Sequence, residues 1–156
     1  FNSYKKTEII IEEYQKLKMA IKNIDFKSFN GSRMHYLRWK TPHTAINLSN
    51  AGIIYDSSLG FADCPGFRCG TCHEYQMFDP ISNKILNLIQ RPLIVMDTTL
   101  INSAYMGKIS ELKKLKTVEN LKNGCKLVDG NFTLLWHNNN LVKKEHKRLF
   151  EKILDL

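Results

Sequence analysis

The run Pro92-Leu93-Ile94-Val95-Met96 is apolar throughout and stops abruptly on Asp97. A short, unbroken apolar run bounded by a polar residue is what a strand covered on both faces requires, because its alternating sides both meet hydrocarbon. The chain must therefore supply cover for a sheet, and its other segments read as that cover. Residues 7–22 predict a helix: Thr7 can cap it, Glu8, Glu12 and Glu13 suit its positive end, and Ile10, Tyr14, Leu17 and Ile21 share one face. A short strand is expected over Ser32–Arg38. Thr41-Pro42 opens a second helix, which Ala51-Gly52 closes, and Ile53-Ile54-Tyr55-Asp56 reads as a buried strand. A loop from Ser57 to about Pro80, punctuated by Gly60, Pro65, Gly66 and Gly70, has the length of a segment that covers a site. Helical sequence over 105–121 places apolar residues at every third position, so its stripe drifts, and Asn123-Gly124 is a stop signal. Asn131–His137 reads as the last strand, and a final helix turns Val142, His146, Leu149, Phe150 and Ile153 inward. Strands alternating with helices predict an α/β fold with a mostly parallel sheet and outer helices, in a single domain spanning 1–156.

Composition narrows the function classes. The net charge of +8 raises nucleic acid as a partner, but residues 41–100 hold three Lys/Arg against five Asp/Glu. The excess lies in stretches such as Lys113–Lys116 and Lys143–Arg148, without the interleaved aromatics of single-strand binders. These read as solvated helix faces, and no nucleic acid is expected. No run approaches the roughly 18 apolar residues of a membrane span, so no membrane insertion is expected. A cytoplasmic location, with free thiols, is the default expectation. The chain begins at Phe1 with no signal-peptide pattern, which reads as a cut N-terminus.

Four residues share a position in the pattern. Arg38, Asp56, Asp97 and His137 each stand at the C-terminal end of an expected strand, and parallel strands would gather them on one rim, where α/β proteins place their sites. A guanidinium, two carboxylates and an imidazole are hydrolytic equipment. Polar residues also end strands simply because the chain leaves the core there; the coincidence of four favours chemistry. Near them, Trp39 could stack on a sugar ring, Arg68 could clamp a planar acceptor, His73 could reach the rim from the loop, and Asn138 adjoins His137. Trp136 reads as core, and His43 as an exposed helix residue.

The segments Arg33-Met34-His35-Tyr36-Leu37-Arg38, Thr41-Pro42-His43-Thr44, Tyr55-Asp56-Ser57-Ser58-Leu59-Gly60-Phe61, Gly66-Phe67-Arg68 and Leu134-Leu135-Trp136-His137-Asn138 together resemble the second half of polysaccharide deacetylases, especially the branch tied to surface-polysaccharide biosynthesis in bacteria. The resemblance covers about residues 31–140. It implies the C-terminal portion of an irregular seven-stranded (β/α) barrel and metal-assisted removal of N-acetyl groups from an amino sugar or glycan. It further implies His137 as general acid, Arg38 (more weakly Arg33) as the arginine that orients the catalytic base, and Asp56, or in second place Asp97, as the partner of the imidazole. The family's metal, a divalent ion with zinc preferred, is held by an Asp-bearing strand and a His motif absent from this chain. Asn2-Ser3-Tyr4 would be the tail of that motif. The expectation is thus of no metal site in this chain, no deacetylation by it alone, and a sheet edge left open for self-association. A catalytically inactive carbohydrate-binding relative is an alternative within the same resemblance.

A rival comes from the cysteines. Cys64, Cys69 and Cys72 have the spacing C-x4-C-x2-C, with Cys125 as a distant fourth, which allows an iron–sulfur, zinc or redox module. Against it, Gly70 and Thr71 lie in a long loop, and the alternating pattern is unlike the small β folds that carry such clusters.

Overall fold

In a computed structural model that describes residues 2–21 and 30–156, the periodic segments settle into five helices and six strands. The chain runs α1 (Thr7–Ala20), β1 (Gly31–Ser32), α2 (His43–Asn50), β2 (Tyr55–Asp56), β3 (Tyr75–Asp79), β4 (Lys84–Gln90), β5 (Val95–Met96), α3 (Asp97–Ile101), α4 (Glu111–Leu127), β6 (Leu134–Leu135) and α5 (Lys144–Leu154). No helix among the described residues is long and apolar enough to cross a membrane.

Two compact units result, the first made of residues up to Ser58 with Glu74–Arg91, the second of Leu59–His73 with Pro92–Leu156. In the first, a four-stranded sheet has the order β1-β2-β4-β3, with β1, β2 and β4 parallel and β3 antiparallel to β4. Its core is Ile10 of α1, Met34, Ala45 and Leu48 of α2, Ile53 and Leu88. In the second, β5 and β6 form a two-stranded parallel sheet, with Val95 opposite Leu134 and Met96 opposite Leu135. Ile94, Val95 and Leu100 pack there on Val118 and Cys125 of α4 and Leu149 and Ile153 of α5.

The expected barrel is not present. Closure needs a continuous ladder returning to its first strand. Here the larger sheet ends at β1 and at the antiparallel β3, and β5 and β6 pair only with each other. No closed barrel is found among the described residues. The antiparallel edge comes from a hairpin inside and beyond the segment expected to be loop. Asp79 accepts hydrogen bonds from the Ile81 amide (2.8 Å) and the Ser82 hydroxyl (2.6 Å), and Asn83 takes the left-handed conformation (φ 56°) that reverses the chain into β4. The exposed edge β3 carries a register irregularity between Gln76 and Phe78, a device that blunts edge pairing.

Other boundaries moved for local reasons. The strand expected over Ser32–Arg38 is only Gly31–Ser32, because Tyr36 and Leu37 turn left-handed (φ 59° and 52°) in a 3-10 turn, so Arg38 does not end a strand. Asn123-Gly124 does not stop α4. The stop lies one turn later, where left-handed Asp129 (φ 52°) lets the Gly130 amide bond back to the Cys125 carbonyl at 2.8 Å. In the final helix Leu149 and Ile153 are buried, but Val142, expected to face inward, precedes the helix and is exposed.

Just after α3 the chain folds back so tightly that a Cβ at Gly107 would lie 2.3 Å from the Ile101 carbonyl oxygen and 2.5 Å from the Asn102 carbonyl carbon. Backbone cannot swing aside as a side chain can. Gly107→Ala should therefore lose about 1–3 kcal/mol of stability, the usual range for overpacking, measured by urea denaturation. An unchanged midpoint would show that this close approach is not a constraint.

Candidate functional site

Parallel pairing of β5 with β6 decides where the second unit's polar groups emerge. With Met96 opposite Leu135, both strands run out at the same end, delivering Asp97 from one and Trp136-His137 from the other. The pairing is reinforced at its start, where the Val95 amide donates to the Thr133 carbonyl (3.1 Å) and the Ile94 amide to the Thr133 hydroxyl (3.0 Å). Trp136 turns into the core, its ring 5.0 Å from that of Phe150. His137, next in sequence, faces outward with 44% of its side chain exposed.

Asp97 has no exposed surface, yet both its oxygens are fully engaged. His137 Nδ1 lies 2.6 Å from Oδ1, which also accepts from the Thr98 amide at 2.6 Å. Oδ2 accepts from the His137 amide at 2.6 Å and from Asn140 Nδ2 at 2.8 Å. Burial alone would raise the Asp97 pKa. The hydrogen bonds from Asn140 and from the amide and ring of His137 outweigh it and hold the group below its ordinary value. An ionised carboxylate only accepts, so the imidazole proton sits on Nδ1. Nε2 then remains as the nitrogen available to an outside partner, and no hydrogen bond to it is made among the described residues.

The four members of the expected rim are distributed as follows. Asp97 and His137 are in direct contact in the second unit, whereas Arg38 and Asp56 belong to the first. Asp56, placed first as the partner of the imidazole, is instead buried against its own sheet: it accepts from the hydroxyls of Ser32 (2.6 Å) and Ser58 (2.8 Å) and from the Ser58 amide (2.7 Å). Its burial outweighs those bonds and pushes its pKa up, the reverse of Asp97. Arg38 has its guanidinium 6.0 Å from the Tyr36 ring. Arg33 donates from Nε to the Ser57 carbonyl and from Nη2 to the Ser57 hydroxyl, both at 3.1 Å. Trp39 packs on the core of the first unit, leaving less of its ring for stacking. Arg68 spends Nη1 on the Gly60 carbonyl (2.9 Å) and so ties its loop together. His73 and Asn138 are exposed.

Two participants escaped the sequence reading. Asn140 was hidden in the triplet Asn138-Asn139-Asn140, which reads as a turn. Thr98 follows Asp97 at the start of a helix of five residues that has no strong signal.

The cysteines do not assemble. Cys64 is exposed, Cys69 donates to the Leu59 carbonyl at 3.7 Å, and Cys72 and Cys125 are buried together. Burial and the Cys72 neighbour push the Cys125 thiol up to about 11, which leaves it protonated and unreactive. Among the described residues no group of three or more His, Cys, Asp or Glu could hold a metal ion. With the oxygens of Asp56 and Asp97 already committed, these residues do not fit the divalent metal implied by the resemblance, and no chemical step is derived through one.

No protein-family model matches the sequence, and no curated protein or solved structure is significantly similar to it.

The two carboxylates should respond oppositely to acid. Asp97 is held below its ordinary value of 3.8, so its contribution is complete above that value and is lost as pH falls through the depressed one. Asp56 is raised above 3.8, so it favours the folded state at low pH and that advantage disappears as pH rises through the raised value. Asp97→Asn should cost about 1.5–3 kcal/mol near pH 7, the range for hydrogen bonds to a charged group, with the gap narrowing toward about pH 3. For Asp56→Asn the gap should widen toward acid. Urea titrations at both pH values give the signs directly.

Proposed function

We propose that this chain carries the acid–base histidine of a hydrolase resembling the polysaccharide deacetylases, acting on the N-acetyl group of an amino sugar or glycan. The observation that carries the reading is the 2.6 Å contact between His137 Nδ1 and the buried Asp97 carboxylate. A buried carboxylate on Nδ1 fixes the ring's orientation and tautomer and stabilises the imidazolium when it forms. The second nitrogen can then give a proton to a departing group or take one from water. In amide hydrolysis, Nε2 takes a proton from the water as it adds to the acetyl carbonyl and gives that proton to the nitrogen as the C–N bond breaks, leaving acetic acid, which ionises to acetate, and a free amine.

The exposure of His137 favours a large substrate over a small sequestered one. So does the flanking run Asn138-Asn139, two exposed amides that can both donate to and accept from sugar hydroxyls. The reading assigns no metal ligand to the described residues; any ion that activates the water belongs to other groups.

The test is acetate release from N-acetylated oligosaccharides by the native protein containing these residues, with divalent metal supplied. His137→Ala should reduce release by about 10²–10⁴-fold, the contribution of a positioned proton donor, with the fold intact. The 156 residues alone should release none. Equal release by the native protein and its His137→Ala variant would overturn the proposal.

A further inference from the structure

We propose that Asn140 is the positioning residue of the His137 imidazole, acting through Asp97: its amide pins the carboxylate in the rotation that aims Oδ1 at Nδ1. This rests on the reading of His137 as the acid–base group.

After β6 the chain makes a single 3-10 turn, Asn138–Leu141, with the Asn140 amide bonded to the His137 carbonyl at 3.0 Å. In this geometry residues three apart lie over one another, so His137 and Asn140 present their side chains to the same place. That place is the two ends of one carboxylate: the ring nitrogen meets Oδ1, and the Asn140 amide meets Oδ2 at 2.8 Å. The turn and the residue that caps it thus deliver both the group to be oriented and the group that holds its partner.

Asn140 also supplies what the other donors cannot. The His137 amide on Oδ2 and the Thr98 amide on Oδ1 are backbone groups, fixed by β6 and by the start of α3, and the Thr98 hydroxyl reaches Oδ1, at 3.3 Å. Asn140 is the side-chain donor on Oδ2, and after burial it is the largest influence on the Asp97 charge, acting to keep it ionised. Asn140 is partly buried and its side-chain amide donates to Asp97 Oδ2, so its effect on chemistry passes through the carboxylate.

Asn140→Ala and the nearly isosteric Asn140→Asp separate this role from simple packing. In Asn140→Ala the Asp97 carboxyl carbon, followed by NMR, should titrate about one unit higher than in the native chain, the shift expected for loss of one charge-assisted hydrogen bond. The imidazole nitrogen spectrum should change from mainly Nδ1–H to a mixture of tautomers. In Asn140→Asp two carboxyl groups meet where an amide met a carboxylate, so they should share a proton and the Asp97 midpoint should move higher still. In the native protein, acetate release by Asn140→Ala should fall about tenfold in kcat with KM unchanged, the signature of misorientation rather than weaker binding.

An Asp97 midpoint and tautomer unchanged in a folded Asn140→Ala variant would overturn the proposal. If that variant does not fold, an unchanged Asp97 midpoint in Asn140→Asp would do so. Shifted titration and tautomer with no acetate release from any form would support the placement of Asn140 while counting against the hydrolase.

Discussion

A carboxylate with none of its surface open to water must be given donors by the protein, and much of the second unit is arranged around doing so for Asp97. Strand β5 carries it to the end of the sheet, the start of α3 offers the Thr98 amide, and the turn after β6 offers one backbone and two side-chain nitrogens. None of these elements is long. The carboxylate is the point at which they are tied, and the imidazole is one of the ties. The group that orients the ring thus also secures the end of the sheet.

The contrast with Asp56 shows what separates a structural carboxylate from one with a chemical partner. Both are buried, Asp56 as the last residue of β2 and Asp97 directly after β5. Asp56 is satisfied by serines and an amide of its own sheet, and burial keeps the upper hand over its charge. Asp97 has a second polar side chain on Oδ2 and an imidazole on Oδ1, and there the donors prevail. Environments that drive two like groups apart are the usual way a protein sets one aside for chemistry.

Asp97 and His137 were legible as strand-end residues because an apolar run that stops on a polar residue marks where a strand leaves the core. The register that joins them was not legible, since two-residue pairings leave no periodicity to read. The ordering of the two aspartates as partners of the ring came from resemblance, and only the three-dimensional path of β6 brings Asp97 to the imidazole. The barrel was implied by the resemblance; the antiparallel hairpin β3–β4, which lies in and beyond the segment expected to be loop, makes one edge of an open sheet instead. Asp79-Pro80-Ile81-Ser82-Asn83 is a turn with a mechanism, and Lys84–Gln90 after it is rich in branched apolar residues, as a strand can be, though without period-two alternation. Asn140 was unreadable for a different reason: three successive asparagines have the same chemistry, and only the phase of a 3-10 turn selects the third.

The Asp97–His137 pair joins residues 40 positions apart, through strands of only two residues each. Such a ladder cannot stand in isolation; it persists because α4 and α5 pack beneath it. Contacts of that span form late, after the cost of closing the intervening loop has been met. A nascent or partly opened chain therefore has no oriented imidazole. On the proposed reading, the acid–base nitrogen would come into being with the finished unit and disappear with it.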